Sequence, residues 1–240
     1  MHVTETQRRR IFDHAAQEAP RESCGVIVRG KYRRCQNIAV EANRFRIAPE
    51  ELAAIRRSGR ITAIIHSHPA GPDCPTAEDM RQQVAGNVPW GIVTFKNGEP
   101  TALFFFGDQV AAPPLLGRPF RHGVTDCYSL IRDYYRIELG IDLSDFPRDD
   151  EWWMDGGQDL YRRNFRRAGF REIPLEAITA GDVLLAEIPG IDRVSHGGVY
   201  LGRELILHHL PARLSSREPL GRWRRHVRLA LRHDSRDNVA

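Results

Sequence analysis

The chain has little cysteine, no long apolar run, no strong charge of either sign and no internal repeat, and each shortage excludes a class of protein. Four cysteines (Cys24, Cys35, Cys74, Cys127) at irregular spacings in 240 residues are too few for a disulfide scaffold and read as free thiols in a reducing compartment. The longest unbroken apolar stretches, such as Ala102–Phe106, fall far short of the about 20 residues that span a bilayer, so no membrane insertion is expected. Met1-His2-Val3-Thr4-Glu5 lacks the apolar core behind a basic end that marks a secretory leader, so the chain is expected to begin in a cytoplasm. Net charge is +4, with 15 basic against 12 acidic residues through residue 109 and 20 against 19 after it. Neither half is a polycation. The Arg-rich stretch Arg217–Arg232 reads as a solvated face, and no groove-reading motif accompanies it, so nucleic acid is not an expected partner.

What is present is an ordinary globular composition, 41% hydrophobic and 28% charged, and enough chain for two domains of about 110–130 residues. The periodicities predict helices over Gln7–Ala19, Pro49–Arg57 and from Thr76 to Ala85, with strands at Ser23–Arg29, Tyr32–Val40 and Ile61–Ile65. Trp90–Phe95, Asn97-Gly98 and Thr101–Phe106 predict a hairpin. Gly107–Pro119, with Ala-Ala-Pro-Pro and Gly-Arg-Pro, continues neither helix nor strand. It places a boundary between domains at 1–109 and 110–240. Beyond it come a helix at Cys127–Leu139, an acidic loop at Asp142–Gly156 and a basic amphipathic helix at Gln158–Ala168. Gly181–Glu187, Gly197–Leu201 and Leu205–His209 predict a small antiparallel sheet. The fold class is α+β in two domains.

The first chemical constellation is Glu22, His66, His68, Thr76 and Asp79. Strand alternation puts His66 and His68 on one face, where their imidazoles converge. A rigid loop with Pro69, Gly71, Pro72 and Pro75 leads to Asp79 in the first turn of a helix. Two His and a carboxylate suit Zn²⁺ with one position left for water, and Glu22 at the head of a strand supplies a base. Singly, each of these residues is more often structural; the joint spacing carries the reading. The pattern Glu22, then His66-Ser67-His68, seven residues, Thr76, two residues and Asp79 resembles the JAMM metalloproteases. So do Glu22-Ser23-Cys24-Gly25 and His68-Pro69. The resemblance implies an α/β/α sandwich, zinc on His66, His68 and Asp79, Glu22 activating water, and Thr76 in place of a serine that steadies the oxyanion. Cys74 reads as a loop residue.

The second constellation is Cys127, His196 and His208. Cys127 falls in the first turn of a helix, where unpaired amides and the helix dipole favour a thiolate. His196 opens a Gly-rich strand, and His208, twelve positions on, lies beside it across a hairpin and can orient its ring. Acid–base help of this kind is worth roughly 10²–10⁴ in rate. Asp126-Cys127-Tyr128-Ser129-Leu130 and His196-Gly197-Gly198-Val199-Tyr200-Leu201-Gly202 resemble the two motif blocks of the NlpC-type peptidases, a papain-like family. That implies hydrolysis of amide bonds in peptidoglycan stem peptides. One departure stands out: Leu115 occupies the place of the family's upstream tyrosine, and Phe120 is the nearest aromatic.

The two domains in series, with Arg118-Pro119-Phe120 and His122-Gly123-Val124, resemble the tail-assembly proteins of lambda-like phages. The resemblance implies tail-tip proteins as partners and a place in the bacterial host cytoplasm during assembly or in the virion tail. Two functions stay open on these residues: a hydrolase with two working centres, and an assembly factor whose sites are vestigial. A cellular isopeptidase leaves the second domain unexplained.

Overall fold

The computed structural model describes residues 3–154 and 159–238. It divides into two compact units, Met1–Ala111 and Ala112–Ala240. Among the described residues no helix is long and apolar enough to cross a membrane.

In the first unit, helix α1 (Glu5–Glu18) begins at Glu5 because Thr4 caps it in a reciprocal box with Gln7. Strands β1 (Cys24–Val28), β2 (Lys31–Cys35), β3 (Ile61–His68), β4 (Trp90–Lys96) and β5 (Glu99–Phe106) form one sheet in the order β2-β1-β3-β4-β5. Alternation along β1 sends Ile27 to Ile11 and Ala15 of α1. Cys24, Val26 and Val28 go to Ile55 of α2 (Pro49–Ser58). Helices therefore cover both faces, an α/β/α arrangement, and β1 is buried throughout. Ile11 and Ile55 are fully buried, each worth about 1.5–3 kcal/mol. The strand expected over Tyr32–Val40 stops at Cys35. Beyond it Asn37 bridges to Ile47, and its side chain ties Ala39, Arg44 and Arg46 into a loop.

One pairing places the site. Strands β3 and β4 are parallel and need a crossover, which contains α3 (Ala77–Gly86). The end of β3 that carries the two histidines thus feeds the loop leading to the first turn of α3. The β4–β5 hairpin turns on Asn97 and Gly98, both at positive φ, as a two-residue primed turn requires.

In the second unit, α4 (Cys127–Leu139) packs Ile131 and Tyr135 against a six-stranded antiparallel sheet. Its strands are β6 (Phe170–Ile173), β7 (Val183–Glu187), β8 (Val194–Gly202), β9 (Leu205–His208), β10 (Ser216–Pro219) and β11 (Val227–His233), in the order β10-β9-β8-β7-β11-β6. The sequence reading expects only β7, β8 and β9. It is corrected at β11: this segment, read as a solvated basic face, buries Leu229, Ala230 and Leu231. Its arginines hid the alternation, because Arg228 pairs with Glu187 and Arg232 with the buried Asp182. The helix expected over Gln158–Ala168 is regular only over α5 (Leu160–Asn164). Gln158, and residues 155 and 156 of the acidic loop, lie outside the described residues.

Candidate functional site

The first unit gathers all five side chains of its constellation. Strand β3 sets His66 and His68 with their Nε2 atoms 2.9 Å apart. The Nδ1–H of His68 donates to the Pro72 carbonyl at 2.9 Å, so its Nε2 carries a lone pair. Asp79 reaches both rings, Oδ1 at 3.2 Å from His66 Nε2 and Oδ2 at 3.4 Å from His68 Nε2. Glu22, just ahead of β1, brings Oε1 to 3.9 Å from His68 Nε2. All four are buried, and ligand atoms of Glu22, His66 and His68 lie within 4.8 Å of one another. Two imidazole nitrogens and carboxylate oxygens converging in a buried site, with one ring already fixed by a carbonyl, fit a divalent ion.

Neighbouring residues hold these groups. The Ser67 hydroxyl accepts from the Ser23 amide at 2.8 Å and the Ser67 amide donates to the Ser23 carbonyl at 3.1 Å. This fastens the segment after Glu22 to the histidine strand. Asn37 Nδ2 donates to the Glu22 carbonyl at 2.8 Å. Thr76 caps α3, and its hydroxyl donates to Asp79 Oδ2 at 2.7 Å. Burial first, with Asp79 adding and His68 opposing, pushes the Glu22 carboxyl up to about 7. Burial also opposes ionisation of Asp79, but His66 and His68 outweigh it and hold that carboxyl far below its usual range.

In the second unit Asp126 caps α4 by accepting from the Ser129 amide at 2.8 Å, which places Cys127 in the first turn. Cys127 Sγ lies 3.2 Å from the Tyr161 hydroxyl and takes a hydrogen bond from the Gly197 amide, next to His196. The ring of His196 pairs with His208, Nε2 to Nδ1, at 3.0 Å. His208 Nε2 faces Glu218 Oε2 at 3.5 Å, within ion-pair reach but long for a hydrogen bond. Trp223 packs on both imidazoles at 5.1 and 4.7 Å and donates to Glu218 at 3.2 Å. With Glu218 facing His208 Nε2–H, His208 Nδ1 accepts from His196 Nε2–H, and His196 Nδ1 keeps its lone pair.

Burial acts on the thiol against the helix terminus. Burial first and Asp126 second push the Cys127 thiol up to about 11, against Tyr161, Gly197 and Arg148. Burial, then His208 and His209, hold His196 down to about 3. Burial thus favours the uncharged form of both groups.

Several contacts escape sequence reasoning. Phe120, the nearest aromatic in sequence, packs on His209 at 5.2 Å, whereas the phenol at the thiol comes from Tyr161, 34 positions downstream of Cys127. Arg148 is buried against Asp126, with Nε to Oδ2 at 2.8 Å, and also binds Ser129, Asp145 and the Phe146 carbonyl. Nothing in the local pattern marks Glu218, Trp223 or Arg148, since each acts across the sheet or a loop.

Comparisons with known proteins match a different family to each unit. Residues 4–106 match the family of prokaryotic homologs of the JAB domain, and residues 117–232 match the NlpC/P60 family. The tail tip assembly protein K of Escherichia phage lambda is 39% identical over 188 residues, covering 78% of this chain and 89% of that protein. The tail tip assembly protein K of Escherichia phage N15 is 35% identical over 241 aligned positions, covering 96% of each. A solved NLP/P60-family lipoprotein-like structure from Staphylococcus aureus is 22% identical over 50% of this chain and 37% of its own, with a TM-score of 0.36.

Proposed function

The chain belongs to the tail tip assembly protein K family, and from that premise we propose that it is a phage tail-tip assembly protein carrying two peptidase centres. The C-terminal centre cuts amide bonds in the peptide stems of peptidoglycan. The N-terminal centre is a zinc peptidase. The protein works in the bacterial host cytoplasm during assembly or in the virion tail, with tail-tip proteins as partners.

The observation that supports the C-terminal reading best is the thiol of Cys127 set against the strand of His196, with His196 hydrogen-bonded to His208. In the proposed reaction His196 Nδ1 takes the thiol proton as Sγ attacks the carbonyl. His208 and Glu218 steady the imidazolium through the tautomer chain. His196 then returns the proton to the leaving nitrogen. Because burial favours the uncharged form of both partners, the proton moves as the sulfur attacks; hydrogen bonds of this kind often tighten only in the complex.

In the N-terminal centre His66, His68 and Asp79 hold the ion. Zinc there, when bound, acidifies water and polarises a scissile carbonyl. Glu22, whose Oε1 lies 3.9 Å from His68 Nε2, stands beside these ligands as the base. Pro72 fixes the ring of His68, and Thr76 fixes the carboxylate of Asp79.

A digest of purified peptidoglycan tests the main claim. Wild-type protein is expected to release stem-peptide fragments, and Cys127→Ala to release none. Equal release by both removes Cys127 from the chemistry. No release by either leaves an assembly factor with vestigial sites as the surviving reading.

A further inference from the structure

Tyr161 is the side chain closest to the sulfur that the mechanism above leaves without a task. Its hydroxyl lies 3.2 Å from Cys127 Sγ. The ring is held from two sides, by Trp152 at 5.9 Å and Tyr128 at 6.3 Å between centroids. Gly197 leaves it room: a Cβ there would lie 3.0 Å from the Tyr161 hydroxyl and 2.9 Å from Ile131. The phenol is thus seated against the nucleophile by packing and by a glycine in the strand that carries His196.

We infer that Tyr161 is a catalytic residue, whose O–H bonds the sulfur at rest and moves to the oxyanion when that sulfur attacks. The inference rests on the C-terminal peptidase reading. Burial and the neighbouring Cys127 hold the phenol well above its usual range, so it remains a donor at any working pH. A carbonyl oxygen under attack sits on the order of 3 Å from the nucleophile, within reach of a donor already at hydrogen-bond distance from it.

Sγ gives its proton to His196 and forms the C–S bond, while the carbonyl π pair moves to oxygen. The Tyr161 hydroxyl donates to that oxygen and keeps its own proton. The pair returns, the C–N bond breaks, and the nitrogen leaves with the proton from His196. Water then hydrolyses the thioester.

The test is Tyr161→Phe, which keeps the packed ring and removes only the hydroxyl, in the full chain. Release of stem fragments should slow about 100-fold in kcat with KM little changed, the usual size for loss of one oxyanion donor. A second readout needs no substrate: the pH profile for iodoacetamide alkylation of Cys127, located by peptide mass mapping. The groups facing the sulfur are Asp126, Arg148, Tyr161 and the Gly197 amide beside His196. Losing the Tyr161 donor moves this profile to higher pH. A variant that turns over like wild type, or faster, overturns the inference. If wild type releases nothing, the peptidase reading fails, and alkylation then decides alone. An unmoved profile overturns the pairing with sulfur, and a shifted one upholds it.

Discussion

Arg148 shows how much rests on single buried charges beside Cys127. Its guanidinium is almost wholly buried and holds Asp126, which in turn caps α4 and accepts from the Gly123 amide. Removing one member of such a pair leaves the other charge uncompensated, at a cost of about 3 kcal/mol or more. Arg148→Met should lower the urea stability of the C-terminal unit by that amount at pH 7, followed by the fluorescence of Trp152, Trp153 and Trp223. The pH dependence has a definite sign. Burial alone would raise the Asp126 carboxyl, but Arg148, His122 and the amides hold it far below its usual range. Its stabilisation is therefore complete above about pH 4, the unfolded value, and is lost as pH falls toward the folded value. The gap between wild type and Arg148→Met should narrow at pH 3. A gap under 1 kcal/mol at pH 7, or one unchanged with pH, rejects this account.

Strand β1 shows the same economy one level up. Gly25 sits between Glu22 and the buried run to Val28, and a Cβ there would lie 2.6 Å from the Arg33 carbonyl and from the Tyr32 ring. Tyr32 cannot yield freely, because its hydroxyl is hydrogen-bonded to His14 at 2.9 Å. Gly25→Ala should thus destabilise the N-terminal unit by about 1–3 kcal/mol through overpacking, read from the urea transition of Trp90. A variant as stable as wild type would show that β1 and β2 separate without penalty. Local pattern served well for elements of this kind. A short apolar run predicted β1, the Asn97-Gly98 turn predicted the hairpin of β4 and β5, and the helix expected over Cys127–Leu139 is α4. It failed where a strand's polar face was saturated with arginines, as in β11, and where the partner lay far along the chain, as for β6, whose Ile173 pairs with Ala230.

Across the whole chain, the proposed metal centre and the proposed thiol centre lie in different units, so they should respond to different reagents. Wild-type protein should carry about one equivalent of zinc by mass spectrometry, and His68→Ala well under half. Neither this substitution nor a chelator should change the Cys127-dependent release of stem peptides. Zinc content unaffected by His68→Ala refutes the ligand assignment. Release abolished by a chelator refutes the separation of the two centres.

Spacing alone specified the donor types: His66 and His68 share a face because side chains alternate along any strand, and Asp79 and Cys127 open helices because Thr76 and Asp126 cap them. Those are short-range consequences of backbone geometry, and a single chain reveals them. Folding decided the rest: that Thr76 turns its proton to Asp79, that burial pushes the Cys127 thiol up and the His196 imidazole down, and that Tyr161, Arg148, Glu218 and Trp223 surround the thiol and its imidazoles. Burial and long-range contact depend on which strands pair and which faces are covered, and no local pattern encodes either.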